Sequence, residues 1–182
     1  MKKIFILLIF LIPIHKASAS IKEIIIQKLI NIDNINFVFE QNINNKIETG
    51  KCTIQYPKKI YCKYNSDNKK ILVSNGRSLV IKTLSSYYLY PLNKTPLDII
   101  LDKNYLINKI DNIEERIVDN KFINYNFFEN DNEINLFFDA KTHNLIGWQT
   151  LDLYQNLSIT YLSSITKNQK LKKDLFKLPE RN

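Results

Sequence analysis

From Asn34 to Tyr64 the chain alternates between apolar and polar residues at almost every step. Ile35, Phe37 and Phe39 alternate with Asn36, Val38 and Glu40. Either side of Pro57-Lys58, the residues Cys52, Ile54, Tyr56, Ile60, Cys62 and Tyr64 alternate with Thr53, Gln55, Tyr61 and Lys63. Successive side chains of a strand point to opposite faces, so a period of two predicts antiparallel sheet with one oily and one wet face. In water that oily face must be covered or closed on itself.

The chain's two cysteines lie in this same hairpin, "GKCTIQYPKKIYCKY" at 50–64. A loop of Tyr56, Pro57 and Lys58 sets Cys52 opposite Cys62, on the apolar side. Directly opposed residues bring their Cβ atoms to about 4.5–5.5 Å, which a small adjustment converts to disulfide spacing. Closing so short a loop contributes roughly 2–3 kcal/mol. A redox-active pair more typically reads C-x-x-C at a helix start. The two cysteines are therefore expected to form a structural staple.

Disulfides persist outside the cytoplasm, and the N-terminus agrees. Met1-Lys2-Lys3 precedes an apolar run from Ile4 to Ile14, then Lys16 and an A-x-A site at Ala17 and Ala19. That is the layout of a secretory signal peptide over residues 1–19, with a run too short for the roughly 20 residues of a membrane span. Cleavage leaves 20–182, 163 residues, the size of one domain, and lowers the net charge from +8 to +5 as Lys2, Lys3 and Lys16 depart. Charge alone assigns no partner, because the wealth of Asn, Ile and Lys is a bias that an AT-rich genome imposes by itself. No nucleic-acid partner is expected.

Other segments complete the outline. Ile21, Ile24, Ile25, Leu29 and Ile32 share one helical face behind Ser20 and Glu23, which read as a capping box. Thr95-Pro96 announces a second, short helix, with Thr95 as N-cap, Asp98 in its first turn and Leu97, Ile100 and Leu101 on its apolar face. Further strands are predicted at 71–74, 79–84, 105–118, 121–129, 133–139, 144–154 and 157–165. Two helices are little cover for so many strands. The sheet is expected to curl around its own apolar side with the helices as lid, an α+β fold.

Catalytic chemistry is thin. His15 leaves with the leader, and His143 sits in a "KTHNL" turn beside Asp139. One histidine and two oxidised cysteines make no zinc site. There is no glycine-rich phosphate loop, and Glu114-Glu115 and Asp131/Glu133 read as solvated turns. Trp148 and the Tyr87–Tyr90 run suit core or cavity lining better than base or sugar stacking. Neither enzyme activity, nor a metal, nor a cofactor is expected.

The order of landmarks resembles a known family. "NFVFEQ" at 36–41, Gly50, a strand ending before Pro57, "ILVSNGRSLVI" at 71–81, "TPLDIIL" at 95–101 and "DLFKLP" at 174–179 follow the sequence order of the LolA family. The resemblance implies an incomplete antiparallel barrel whose helices cover a hydrophobic cavity. It implies a monomeric periplasmic carrier in a Gram-negative bacterium. Such a carrier accepts acylated lipoproteins from an inner-membrane ABC-type exporter, shields their acyl chains and passes them to an outer-membrane acceptor. The residues expected around the acyl chains are Ile35, Phe37 and Phe39; Ile54, Tyr56 and Ile60; Val73, Leu79 and Ile81; Leu97, Ile100 and Leu101; and Leu136 and Phe138.

Two departures stand out. Where well-known members carry an inward Arg before the Pro, bonded to the lid, this chain has Tyr56. Either Tyr56 holds the lid by packing and its hydroxyl, or opening is set differently. The Cys52–Cys62 staple is the second departure, expected to stiffen the wall beside the lid. The alternative reading is a periplasmic lipid- or lipoprotein-sensing protein of the same fold. Such sensors usually carry a second domain, for which the chain leaves no room before Asn182. An outer-membrane acceptor would need a lipidated Cys where the mature chain begins with Ser20.

Overall fold

The alternation becomes a single sheet. The computed structural model describes residues 19–129, 132–152 and 154–181. Its strands are β1 (Asn34–Ile43), β2 (Lys46–Gln55), β3 (Lys59–Tyr64), β4 (Ile71–Asn75), β5 (Ser78–Lys82) and β6 (Tyr87–Pro91), then β7 (Arg116–Val118), β8 (Phe122–Glu129), β9 (Asn132–Asp139), β10 (Leu145–Leu151) and β11 (Leu157–Lys167). All 11 pair antiparallel in the order β6-β5-β4-β3-β2-β1-β11-β10-β9-β8-β7. First and last strands thus meet in the middle, while β6 and β7 remain free edges, and the result is a half-open barrel. The expected leader, save Ala19, lies outside the described residues, as do Asn130 and Asp131 of the turn before β9.

Register assigns the faces, because directly opposed residues share one. One inner row runs Ile35–Ile54–Ile60–Ser74–Leu79, and the next Phe37–Cys52–Cys62–Leu72–Ile81. Cys52 lies opposite Cys62 as the loop length predicts, and the disulfide is formed across a Cα separation of 4.1 Å. A third row is Phe39–Gly50–Tyr64. A Cβ on Gly50 would lie 2.3 Å from the Lys63 carbonyl oxygen and 2.7 Å from the Phe39 ring. Glycine there lets Phe39 and Tyr64 meet edge-to-face, with centroids 4.9 Å apart.

Val73 is the exception among the expected cavity residues. It pairs with Tyr61 and Val80, which places it on the outer face. The run Ile71-Leu72-Val73 is apolar at every step and satisfies either parity, so the Asn65–Lys70 turn decides, and it sends Leu72 inward. Val73 is buried all the same, on the face that the C-terminal segment approaches. Leu175 shares a groove with Thr53 and Tyr61, and Lys82 Nζ donates to the Glu180 carbonyl at 2.8 Å.

Among the described residues the helices are α1 (Ile21–Ile30), α2 (Leu97–Ile100) and α3 (Lys103–Asp111), with a 3₁₀ turn at Leu92–Lys94. The capping box of α1 is complete: Ser20 Oγ accepts from the Glu23 N–H, and the Ser20 N–H donates to Glu23 Oε2. The expected strand at 105–118 is instead α3, a link and the short β7. Asp102 accepts the Tyr105 N–H as N-cap, and Leu106 and Ile110, four apart, bury the same face. Thr95 does not cap α2. Its hydroxyl donates back to the Leu92 carbonyl at 2.8 Å, and Pro96 takes the N-cap position of a single-turn helix. The Tyr87–Tyr90 run forms edge strand β6 and ends at Pro91, which has no N–H to pair.

Candidate functional site

The inner face and the helices pack into one core. Ile25 and Leu29 of α1, Ile100 of α2 with the adjoining Leu101, and Leu106 and Ile110 of α3 are all buried in it. Burying each such side chain contributes about 1.5–3 kcal/mol. The core is not filled throughout. A hollow of about 160 Å³ remains, with Ile43, Leu72, Leu79, Ile81, Trp148 and Leu151 from the sheet and Pro96 and Leu97 from the lid in its wall. A neighbouring gap of about 50 Å³ shares Gln41, Tyr64, Leu72, Leu97 and Trp148 with it. Together they are smaller than the roughly 300–1,000 Å³ of sites for drug-sized ligands.

The expected residues other than the outward Val73 divide into three groups. Phe37, Phe39, Ile60, Leu79, Ile81 and Leu97 line one or both hollows. Ile35, Ile54, Ile100, Leu101, Leu136 and Phe138 form the packed core around them, none more than 4% exposed. Tyr56 lies at the edge, half-buried against the core, with Lys103 Nζ 5.9 Å from its ring centroid and its phenol ionisation pushed up by burial. Its hydroxyl makes no hydrogen bond among the described residues. Trp148 lines both hollows, as core or cavity lining was expected of it, whereas sequence reasoning missed Leu72, Gln41, Thr150, Ser158 and Thr160 as lining. Trp148 and Thr150 are two apart on one strand, a parity that marked them as sharing a face without saying which.

The cation that grips the lid stands two residues beyond Tyr56. Lys58 Nζ donates to Asp98 Oδ1 at 3.0 Å on α2 and lies 3.5 Å from Asp102 Oδ2, the N-cap of α3. The Lys58 N–H donates to the Leu101 carbonyl at 2.8 Å, so one residue holds the lid by backbone and side chain. The hydrogen bond to Asp98 leads in raising the Lys58 pKa. Desolvation opposes it, and the charges of Asp98 and Asp102 add to it. No sequence signal located this latch, because Lys58 precedes another lysine in a turn and Asp98 reads as an ordinary helix-start acid.

The hollow also has polar walls. Gln41 Nε2 donates to Ser158 Oγ and Thr160 Oγ1, and Thr150 Oγ1 is buried without a partner among the described residues. An unpaired buried hydroxyl costs about 1–3 kcal/mol. His143 lies in its expected turn. Asp139 there accepts the Thr142 hydroxyl and the N–H groups of Lys141 and Thr142, and these bonds, the Thr142 hydroxyl first, hold its carboxyl below the usual range. That carboxylate is engaged with its own turn rather than with His143.

A half-open barrel whose oily face is roofed by helices around a hollow defines a carrier-type binding fold. The chain belongs to the LolA family, outer membrane lipoprotein carrier protein, which matches residues 32–179. Among solved structures it is similar to MucB, at TM-score 0.50 and 11% identity over 89% of this chain, and it spans 64% of the MucB chain. It is also similar to the LolA superfamily protein NE2245 from Nitrosomonas europaea, at TM-score 0.40 and 10% identity, covering 88% of this chain and 99% of that one. A putative outer membrane lipoprotein-sorting protein domain from Vibrio parahaemolyticus aligns at TM-score 0.47 and 8% identity, covering 84% and 94%. No curated protein sequence matches the chain.

Proposed function

We propose that the protein is a periplasmic carrier that takes acylated lipoproteins from an inner-membrane ABC-type exporter. It shields their acyl chains under the lid and gives them up to an outer-membrane acceptor. The observation that carries this reading is the hollow between Trp148 of the sheet and Leu97 of the single-turn helix, inside a fold of the lipoprotein-carrier family. Each methylene kept from water contributes about 0.8 kcal/mol, so a chain of roughly fifteen is worth about 12 kcal/mol. A site so favourable needs a means of release. A lid whose closed state is preferred by only a few kcal/mol supplies one, because refilling the hollow with the protein's own side chains competes with the cargo. Lys58 sets that preference by gripping Asp98 and Asp102.

Inner-membrane vesicles carrying the exporter and an acylated lipoprotein test the proposal. Incubated with the protein, they should yield a soluble one-to-one complex, and Leu97→Asp should abolish its recovery while leaving the thermal transition in place. No soluble lipoprotein with the native protein would overturn the carrier reading in favour of the lipid-sensing alternative.

A further inference from the structure

The hollow contains a cluster of hydroxyls around one amide. Gln41 Nε2 donates to Ser158 Oγ at 3.0 Å and Thr160 Oγ1 at 3.2 Å, while its Oε1 accepts from the Tyr64 phenol at a long 3.5 Å. Both amide protons and the amide oxygen are thereby engaged. The hydroxyls still have donors to offer. Ser158 and Thr160 act as acceptors here, and their own protons meet no acceptor among the described residues. Thr150, directly across from Ser158, has an oxygen shut off from solvent with no partner among the described residues. Thr150, Ser158 and Thr160 are 5%, 3% and 3% exposed, so each is more than nine-tenths buried. The first two line the larger hollow, the third the smaller.

Donors without acceptors in a largely apolar hollow suit a ligand that brings acceptors. The charges at the rim argue that it brings no charge. Lys70 is paired with Glu48 at 2.6 Å and lies 4.1 Å over the Tyr64 ring, so it is already engaged. The Asp152 carboxylate is turned back on the N–H groups of Tyr154 and Asn156. A fatty-acid carboxylate would enter with no free cation among the described residues of the wall to meet it. An alkane would leave the hydroxyls unpaired. A carbonyl joined to a long hydrocarbon avoids both penalties.

We propose that Gln41, Thr150, Ser158 and Thr160 form an ester-reading site. The hydroxyls of Thr150, Ser158 and Thr160 donate to the carbonyl oxygens of ester-linked acyl chains, with Gln41 holding Ser158 and Thr160 in place and the hydrocarbon beyond lying against Trp148, Leu72 and Leu97. The site selects diacylglyceryl groups over free fatty acids and over acyl-free hydrocarbon. This deepens the carrier reading and rests on it.

The chain's single tryptophan stands in the wall and reports occupancy. The full chain is titrated with a dipalmitoyl lipopeptide, its dihexadecyl ether counterpart, dipalmitoylglycerol and palmitate, following Trp148 fluorescence. The ester lipopeptide should bind about tenfold tighter than the ether, which lacks the carbonyls. Thr150→Val and Ser158→Ala, both close in shape to the native residues, should each bring that ratio toward one. Dipalmitoylglycerol binding as well as the lipopeptide supports the site and makes any diacylglyceryl lipid its ligand. Weaker binding than the lipopeptide, still tighter than the ether, supports it with lipoprotein as the source. Equal affinity for ester and ether in the native protein, or palmitate matching the ester, overturns the ester-reading site and leaves the carrier reading standing. If neither ester nor ether binds, the carrier reading falls and the site falls with it.

Discussion

The two parts of the helical roof are built differently. α1 and α3 run antiparallel and cap each other: Lys103, at the start of α3, donates to the Ile30 and Ile32 carbonyls at the end of α1, and Lys22, at the start of α1, donates to the Asp111 carbonyl at the end of α3. Each also has a side-chain N-cap, Ser20 or Asp102, and α3 is tied to the end of β8 by Lys109 and Tyr105 on Glu129. α2 is one turn long, has no side-chain cap, and is held through Lys58. Pro96 and Leu97, in and beside α2, line the larger hollow, and no residue of α1 or α3 does. The difference shows where strength is needed. The fixed pair stabilises the fold, and the weakly made turn covers the hollow, the place that opens under the proposed carrier function.

That contrast can be broken by experiment. Ile25→Ala in the fixed pair should have the largest effect, about 2–5 kcal/mol off the stability read by urea unfolding, because it empties a fully buried site. Its effect on cargo release should be small by comparison. Replacing both Cys52 and Cys62 by alanine should remove roughly 2–3 kcal/mol. The loss should fall unevenly: in hydrogen exchange the amides around α2, which docks on this hairpin through Lys58 and Leu101, should open before those of α1. Ser20→Ala should cost about 0.5–2 kcal/mol, measured by thermal melting, by removing one half of the capping box.

Lys58→Met should have the smallest effect on stability, below about 1 kcal/mol, since the pair is partly solvated. It should nonetheless slow cargo release up to about fivefold, because the closed lid that competes with the cargo loses one of its holds. Stopped-flow transfer of a fluorescent lipopeptide measures that rate. The pH dependence follows from the raised Lys58 pKa. A lysine whose folded value exceeds its unfolded value contributes fully below the unfolded value, and loses that contribution as pH rises through the folded one. Release should therefore be flat across neutral pH and slow only in the alkaline lysine range, above about pH 10. The Lys58→Met protein should lack that alkaline fall. Tyr56→Phe should leave release unchanged, since the Tyr56 hydroxyl makes no hydrogen bond among the described residues.

Much of this was written in the residues themselves. Alternation from Asn34 to Tyr64 determined the sheet, its oily side and the Cys52–Cys62 staple, because strand parity and a three-residue loop are local properties. The capping box determined where α1 begins for the same reason. Tertiary structure decided what local rules left degenerate. Ile71-Leu72-Val73 accepts either parity, and only the pairing of β3 with β4 turned Val73 outward and Leu72 in. Residues 105–111 carry apolar side chains that fit a strand or a helix, and packing against α1, with Asp102 as cap, selected the helix. The latch and the hydroxyl cluster were illegible for a related reason. Lys58 meets Asp98, and Gln41 meets Ser158 and Thr160, across 40, 117 and 119 residues of chain. No periodicity reports a contact of that range, since it exists only once the sheet has curled and brought β1 beside β11.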